Sequence, residues 1–375
     1  MKILFTGGGT GGHFYPIIAV AEKVNEIIDK EKILDAKLYY VSDSPYDKGL
    51  LFENGITYVE VTSGKQRLYS SVKNITDIFK IAFGCLSALY KVFLIYPDVV
   101  FGKGGYASFP ALFAARVLGI PVIIHESDSV PGKVNLWASK FAKKIAISYP
   151  EAVEYFPKEK TALTGQPIRS NIVERAKDGT FEYLKLDPTI PVIFVWGGSL
   201  GAVVINDVII DALPELISRY QIIHQVGPKN LTEIENRIAV ALEKNEYKDR
   251  YKLFGYLNTL AVKMSAGAAS LIITRAGSSL FEIASWGVPS IVVPIPEAVS
   301  HDQKHNAFNY ARSGACSVIE ENNFTPSILV AEIDRIISDK EKWQTMSKSA
   351  LAFAHPGAAE QIAKELIAIA LKHEK

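Results

Sequence analysis

Short, uninterrupted apolar runs alternate along this chain with longer stretches in which apolar residues recur every three or four positions. The runs cover residues 2–6, 36–42, 57–62, 98–101, 121–125 and 144–147, then 191–196, 220–226, 251–256, 270–274, 289–294 and 315–319. Runs that are apolar throughout predict strands of a parallel sheet covered by helices on both faces. Ile17, Ala21, Val24 and Ile28 follow the first run, and Val204, Val208 and Leu213 follow residue 196, both sets at helical spacing. The same plan thus runs twice, half a chain apart. It predicts an α/β protein of two doubly wound, Rossmann-like domains with a cleft between them, over about 1–164 and 165–357. The Gly165-Gln-Pro-Ile168 loop and the polar run through Asp178-Gly179 mark a hinge over 164–190. Gly357 precedes a last helix, Ala358 to Leu371.

Each half opens with the same chemistry. Lys2-Ile-Leu-Phe-Thr6 empties into Gly7-Gly-Gly-Thr-Gly-Gly-His13, and Pro191-Val-Ile-Phe-Val-Trp196 empties into Gly197-Gly-Ser-Leu-Gly201. Glycine lets backbone N–H groups close on an anion, and the helix start behind them adds partial positive charge. Two such loops predict two phosphate-bearing ligands, or one held between two domains. Open α/β sheets bind ligands at the carboxyl ends of their strands, which is where both loops fall.

Composition narrows the classes. A chain of 375 residues, 48% hydrophobic and 22% charged, builds two globular cores. A formal net charge of +1 argues against a nucleic-acid partner. Cys85 and Cys316 stand far apart without metal-ligand spacing, as expected of buried thiols in a reducing cytoplasm. Strand-like residues begin directly after Met1, so no secretory leader is expected. The apolar stretch from Ile75 to Tyr96 carries Asp77, Lys80 and Lys91, too many charges for a transmembrane span but compatible with a helix on a membrane surface.

The motifs carry two readings at first. Gly7 to Gly12 also satisfies a dinucleotide fingerprint, and Asp43 at the next strand end is the acid that would bind its ribose, which keeps an oxidoreductase open. His13 is outside that fingerprint. A helix start lowers an imidazole pKa and favours the neutral base, so its position suits proton abstraction. Phe101-Gly-Lys-Gly-Gly-Tyr106 offers a second close-approach loop. His125-Glu-Ser-Asp128, Pro131-Gly132 and Asn135 cluster polar groups at a strand's carboxyl end. In the second half, Arg275-Ala-Gly277-Ser-Ser-Leu-Phe-Glu282 opens a helix, where Glu282 could accept both hydroxyls of a ribose. His301-Asp-Gln303 and Asn306 add amides suited to sugar hydroxyls. No Asp-x-Asp or histidine cluster marks a metal site.

With these residues assembled, the chain resembles the MurG family of peptidoglycan glycosyltransferases, nearly end to end. GGTGGH lies at Gly8–His13, G-x-GGY at Gly102–Tyr106, HE-x-[ND]…PG…N at His125–Asn135 and TG-x-P-[VI]-R at Thr164–Arg169. GGS-x-GA…N follows at Gly197–Asn206, HQ-x-G at His224–Gly227, RAG…E at Arg275–Glu282 and DQ-x-x-NA at Asp302–Ala307. Three positions depart: Asp128 where many members have Asn, Leu200 where Gln is usual, and an Arg275–Glu282 stretch one residue short.

The resemblance implies a GT-B fold whose last helix, 358–375, returns to the first domain. It implies inverting transfer of N-acetylglucosamine from UDP to the muramoyl 4-hydroxyl of undecaprenyl-pyrophosphoryl-N-acetylmuramoyl-pentapeptide (lipid I), without metal or cofactor. A GT-B enzyme with another acceptor is the alternative. The donor would meet the Leu257 backbone at uracil, Glu282 at ribose, and Ser199 with Ser278, Ser279 and Leu280 at the diphosphate. Arg169, Asp128 and Gln303 would surround phosphates and sugar, with Thr10, Gly11 and Gly12 approaching from the first domain. Gly104, Gly105, Tyr106, His125 and Asn135 would hold the acceptor, with His13 or Glu126 as the base. A lipid acceptor implies peripheral binding at the cytoplasmic face of the plasma membrane. Eleven basic residues against four acids between Thr62 and Pro150 fit such a surface, as does the stripe Leu68, Val72, Ile75, Phe79 and Phe83.

Overall fold

The computed structural model describes residues 1–64, 73–198, 201–298 and 302–373, the side chains of 73–79 and His373 excepted. It divides into two compact units, Met1–Ser170 with His355–Lys375, and Asn171–Ala354.

The first unit is built on seven parallel strands: β1 (Lys2–Thr6), β2 (Lys37–Ser42), β3 (Ile56–Glu60), β4 (Val99–Gly102), β5 (Val122–Glu126), β6 (Lys144–Ile147) and β7 (Thr161–Leu163), in the order β3-β2-β1-β4-β5-β6-β7. Its helices include α1 (Gly11–Glu31), α2 (Lys48–Glu53), α3 (Lys73–Ile95), α4 (Phe109–Val117) and α5 (Lys133–Ala138). Strand β1 lies inside the sheet, paired with β2 and β4, and Ile3, Leu4 and Phe5 are fully buried. That double coverage is why its sequence shows no alternation. Strand β7 has no counterpart among the predicted runs. It is three residues long at the sheet edge, with Ala162 and Leu163 exposed, so it lacks the apolar signal.

The second unit repeats the plan with β8 (Val192–Trp196), β9 (Gln221–Gln225), β10 (Tyr251–Phe254), β11 (Ala269–Thr274), β12 (Ser290–Val292) and β13 (Cys316–Val318), ordered β10-β9-β8-β11-β12-β13. Its helices are α6 (Thr180–Leu184), α7 (Val203–Leu216), α8 (Leu231–Ala241), α9 (Thr259–Ala268), α10 (Ser279–Trp286), α11 (Gln303–Arg312), α12 (Pro326–Ile337) and α13 (Lys340–Phe353) among the described residues. Much of the expected hinge packs on this unit. Trp286 Nε1 donates to Ile172 O at 2.8 Å, Ser285 Oγ to Val173 O at 2.9 Å, and Ile172, Leu184 and Leu186 are buried.

The last helix, α14 (Ala358–His373), belongs to the first unit. Ile362, Ala363, Leu366, Ile367 and Ala370 join one core with Ile17, Val20 and Val24 of α1. On α3, Gly84, Ala88 and Val92 recur every fourth residue and face inward, Ala88 and Val92 in one core with Ala111 and Ala115 of α4. Phe83, Leu86, Tyr90, Phe93 and Leu94 lie on the opposite side of α3, each more than half exposed.

Candidate active site

In the first unit the carboxyl ends of β1, β4 and β5 carry three loops. Tyr40 Oη donates to Gly7 O at 2.7 Å, and Lys103 N–H to Thr6 O at 2.8 Å, fastening the two glycine runs to the sheet. Thr10 stands at the N-cap position of α1, but its hydroxyl makes no cap bond and lies 2.9 Å from His13 Nδ1. His13 Nε2 is 3.4 Å from where a Cβ on Gly105 would stand, so the two motifs meet at this ring. Burial first, and the Lys103 ammonium second, lower the His13 pKa to about 3. The imidazole is therefore neutral near pH 7. The Thr10 hydroxyl holds the ring at Nδ1, and the tautomer with the proton on Nδ1 presents an unprotonated Nε2.

Gly9 has room for no side chain because the Tyr106 ring lies 2.9 Å from its missing Cβ. Tyr106 hydrogen-bonds Asp43, and Asp43 Oδ2 also accepts from Ser63 Oγ at 2.6 Å. Asp43, the acid that a dinucleotide site would offer to ribose, here orients the tyrosine of the G-x-GGY loop.

The His125–Asn135 segment is held from inside. Glu126 Oε1 accepts from Asp128 N–H at 3.0 Å, and Oε2 from Gly132 N–H at 3.1 Å and Asn135 Nδ2 at 2.9 Å. Burial, followed by the neighbouring Asp128 charge, pushes the Glu126 pKa up. Three donors on one buried carboxylate make a brace for this loop. His125 is fully buried and kept neutral by burial and then Lys103, so its Nε2–H donates to Gly165 O at 3.0 Å. Lys103 itself turns inward. Its Nζ donates to Ser127 Oγ, which donates at 2.9 Å to Gln166 Oε1, and burial lowers its pKa against the pull of Glu126 and Asp128. Arg169 is buried with its guanidinium 4.2 Å above the Tyr15 ring, which sets a fixed cation beside the start of α1. Its Nε has no hydrogen-bond partner among the described residues.

In the second unit Ser278 stands at the N-cap of α10, Ser279 begins the helix, and Glu282 lies in its first turn, half-buried. Leu280 is in the core, so only its backbone remains to meet a ligand. Arg275 clamps the strand ends, donating from Nη1 to Val293 O at 3.0 Å and pairing with Glu321 at 2.5 Å. Gln303 Oε1 accepts from Ile295 N–H at 3.3 Å. Leu257 N–H already donates to Gln225 Oε1 at 3.0 Å, so what Leu257 offers a base is its carbonyl. Ser199, Leu200 and His301 lie outside the described residues. Among the described residues no group of three or more His, Cys, Asp or Glu side chains is placed to hold a metal ion.

The chain matches a known family in both halves. The glycosyltransferase family 28 N-terminal domain matches residues 3–147, and the family 28 C-terminal domain matches residues 192–362. A Bacillus cereus UDP-N-acetylglucosamine–N-acetylmuramyl-(pentapeptide) pyrophosphoryl-undecaprenol N-acetylglucosamine transferase is 34% identical over 92% of this chain and 94% of its own length. The chain belongs to glycosyltransferase family 28. A Clostridium novyi enzyme of the same name is 35% identical over 91% of this chain and 92% of its own. The crystal structure of Acinetobacter baumannii MurG superposes with a TM-score of 0.74 at 26% identity, covering 98% of this chain and 99% of that one. The two parallel-sheet units are the GT-B architecture of family 28. Reading the residues alone had not singled out Lys103, Asp43 as a partner of Tyr106, or Gln225. The first lies in the G-x-GGY motif and the last in HQ-x-G, and only their inward-facing side chains show what they do.

Proposed function

We infer that this family 28 chain transfers N-acetylglucosamine from UDP-N-acetylglucosamine to the muramoyl 4-hydroxyl of undecaprenyl-pyrophosphoryl-N-acetylmuramoyl-pentapeptide. The observation that carries this reading is that the likeness to enzymes named for the reaction spans both units, so donor and acceptor halves come from one family. His13 takes the proton of the attacking hydroxyl as its oxygen bonds to the anomeric carbon. The bond from that carbon to the diphosphate breaks, UDP leaves, and the configuration inverts. Thr10 orients the base, and the start of α1 with Arg169 supplies positive charge for the donor's phosphates. Glu126, with all its near donors committed to the loop, positions Asp128 and Asn135 instead of moving a proton.

On the donor side Glu282 receives the ribose hydroxyls, and the diphosphate is received by the second glycine loop, at Gly198 and Gly201, together with the start of α10 through Ser278 and Ser279, aided by Gln303. The test is transfer of labelled N-acetylglucosamine from UDP to a soluble lipid I analogue. Glu282→Ala is expected to weaken UDP binding about tenfold or more, as a charged hydrogen bond is worth roughly 1.5–3 kcal/mol. Unchanged UDP affinity by titration calorimetry would remove Glu282 from the ribose.

No helix among the described residues is long and apolar enough to cross a membrane. The outer face of α3 supports peripheral attachment to the leaflet that holds the acceptor. Of the stripe expected from sequence, Leu68 and Val72 lie outside the described residues, as do the side chains of Ile75 and Phe79, while Phe83 is exposed. Leu86, Tyr90, Phe93 and Leu94 extend that face, and exposed Lys80, Arg116, Lys140, Lys143 and Lys144 belong to the same unit. Each basic residue near an anionic surface adds about 1 kcal/mol. Sedimentation with anionic vesicles is expected to exceed that with neutral ones, to fall with salt, and to drop roughly fivefold or more for Phe83→Ser with Phe93→Ser. Equal sedimentation with both vesicle types, unaffected by the changes, would overturn the attachment.

A further inference from the structure

Gln225 ends β9, the strand between β8 and β10, and its side chain is buried. Its backbone sits in the ladder opposite Trp196 on one side and Phe254 on the other. The side-chain amide reaches past both strand ends. Nε2 donates to Gly198 O at 2.8 Å, and Oε1 accepts from Leu257 N–H at 3.0 Å. One partner is a carbonyl and the other an N–H, so the orientation of the amide is fixed, and only a group that both donates and accepts fits. We propose that Gln225 is a positioning residue that couples the diphosphate loop to the base-binding segment, so that one amide holds both ends of the donor site in register. The proposal rests on the donor reading given above.

The two contacts act on different parts of a nucleotide site. Gly198 O also accepts from Gly201 N–H at 3.0 Å, a bond between the two described sides of the second glycine loop. Leu257 precedes Asn258, the N-cap of α9, whose side chain accepts from Ala261 N–H at 2.9 Å. Gln225 thus fixes Gly198 at the loop and Leu257 just before α9. The neighbouring residues stiffen the same wall. Asn206 Nδ2 donates to Val226 O at 3.0 Å, so its Oδ1 must accept from His224 Nε2–H at 3.0 Å. His224 Nδ1 then accepts from the Tyr251 hydroxyl at 2.8 Å. Burial holds the His224 pKa at about 3, so this neutral arrangement persists through the physiological range.

Titration calorimetry on the full chain with uridine and with UDP tests the coupling, with thermal unfolding as a fold control. Gln225→Met keeps the shape and removes both bonds, and is expected to weaken uridine about fivefold and UDP about thirtyfold, one and two bonds' worth. Gln225→Glu can still accept from Leu257 N–H but cannot donate to Gly198 O. It is expected to keep uridine within about twofold while losing UDP by about tenfold or more. A general loss of structure would not separate the two ligands in this way. UDP binding by Gln225→Met within twofold of the native protein would overturn the proposal, as would equal losses of uridine and UDP in both variants. If Gln225→Met does not fold, the uridine-to-UDP split in Gln225→Glu decides alone. Failure of the native protein to bind UDP would strike the donor reading itself, a separate result.

Discussion

His13→Ala is expected to lower kcat about 10²–10⁴-fold while leaving UDP affinity intact, because a general base acts in the transition state. His13 belongs to the first unit, and the residues proposed for UDP belong mainly to the second, so the donor site keeps its residues in this variant. The pH dependence gives a second check. A histidine whose folded pKa is lowered stays neutral as pH falls, so His13, held to about 3, remains a competent base down to about pH 5. No acid limb near pH 6.5 in the kcat profile is then expected from this residue. Such a limb, absent in His13→Ala, would put the imidazole in an ordinary aqueous setting. Glu126→Gln places an NH2 group against donors at Asp128, Gly132 or Asn135, so its loss should show in stability and acceptor KM. A kcat loss in Glu126→Gln equal to that of His13→Ala, with the fold intact, would exchange the two roles.

The doubly repeated strand-glycine-helix plan was legible because each step has a strong local cause. Buried parallel strands need apolar residues on both faces, and glycine runs end them where backbone must approach a ligand. What the residues did not reveal is which polar side chains turn inward. Glu126, on a polar loop, reads as a base from its type alone, yet two of its three partners are backbone N–H groups of residues two and six positions away. Backbone donors leave no mark in a sequence. Lys103 reads as part of a phosphate loop, but it is one of the largest fully buried side chains and bonds Ser127. Leu280 falls in a helix start that sequence treats as one polar cap, although its side chain belongs to the core. The hinge was placed by composition, whereas the packing of Ile172 and Leu186 depends on partners that are distant in sequence.

Gly201→Ala is expected to weaken UDP about a hundredfold. Gly201 has φ +74°, a conformation that L side chains rarely adopt, and a Cβ there would lie 1.8 Å from Val226 O and 2.4 Å from Val226 C. Neither atom is the yielding end of a flexible side chain. Val226 O is held by Asn206 Nδ2 at 3.0 Å and Asn230 Nδ2 at 2.8 Å, so the added methyl must displace the loop and not the wall. A strained backbone position costs about 1–3 kcal/mol, and the contact adds to it. Moving Gly201 also breaks its bond to Gly198 O, the carbonyl that Gln225 holds, so the two described sides of the loop lose their register. Gly357→Ala is the matching control: a Cβ there meets nothing within 4 Å and its φ is not positive, so UDP affinity and stability should be unchanged. Circular dichroism of Gly201→Ala should remain native, since the atoms nearest the added methyl are backbone atoms of Val226 and Gly227. If Gly201→Ala binds UDP within about threefold of the native protein, the second glycine loop is not what receives the diphosphate, because a displaced loop could not keep that affinity.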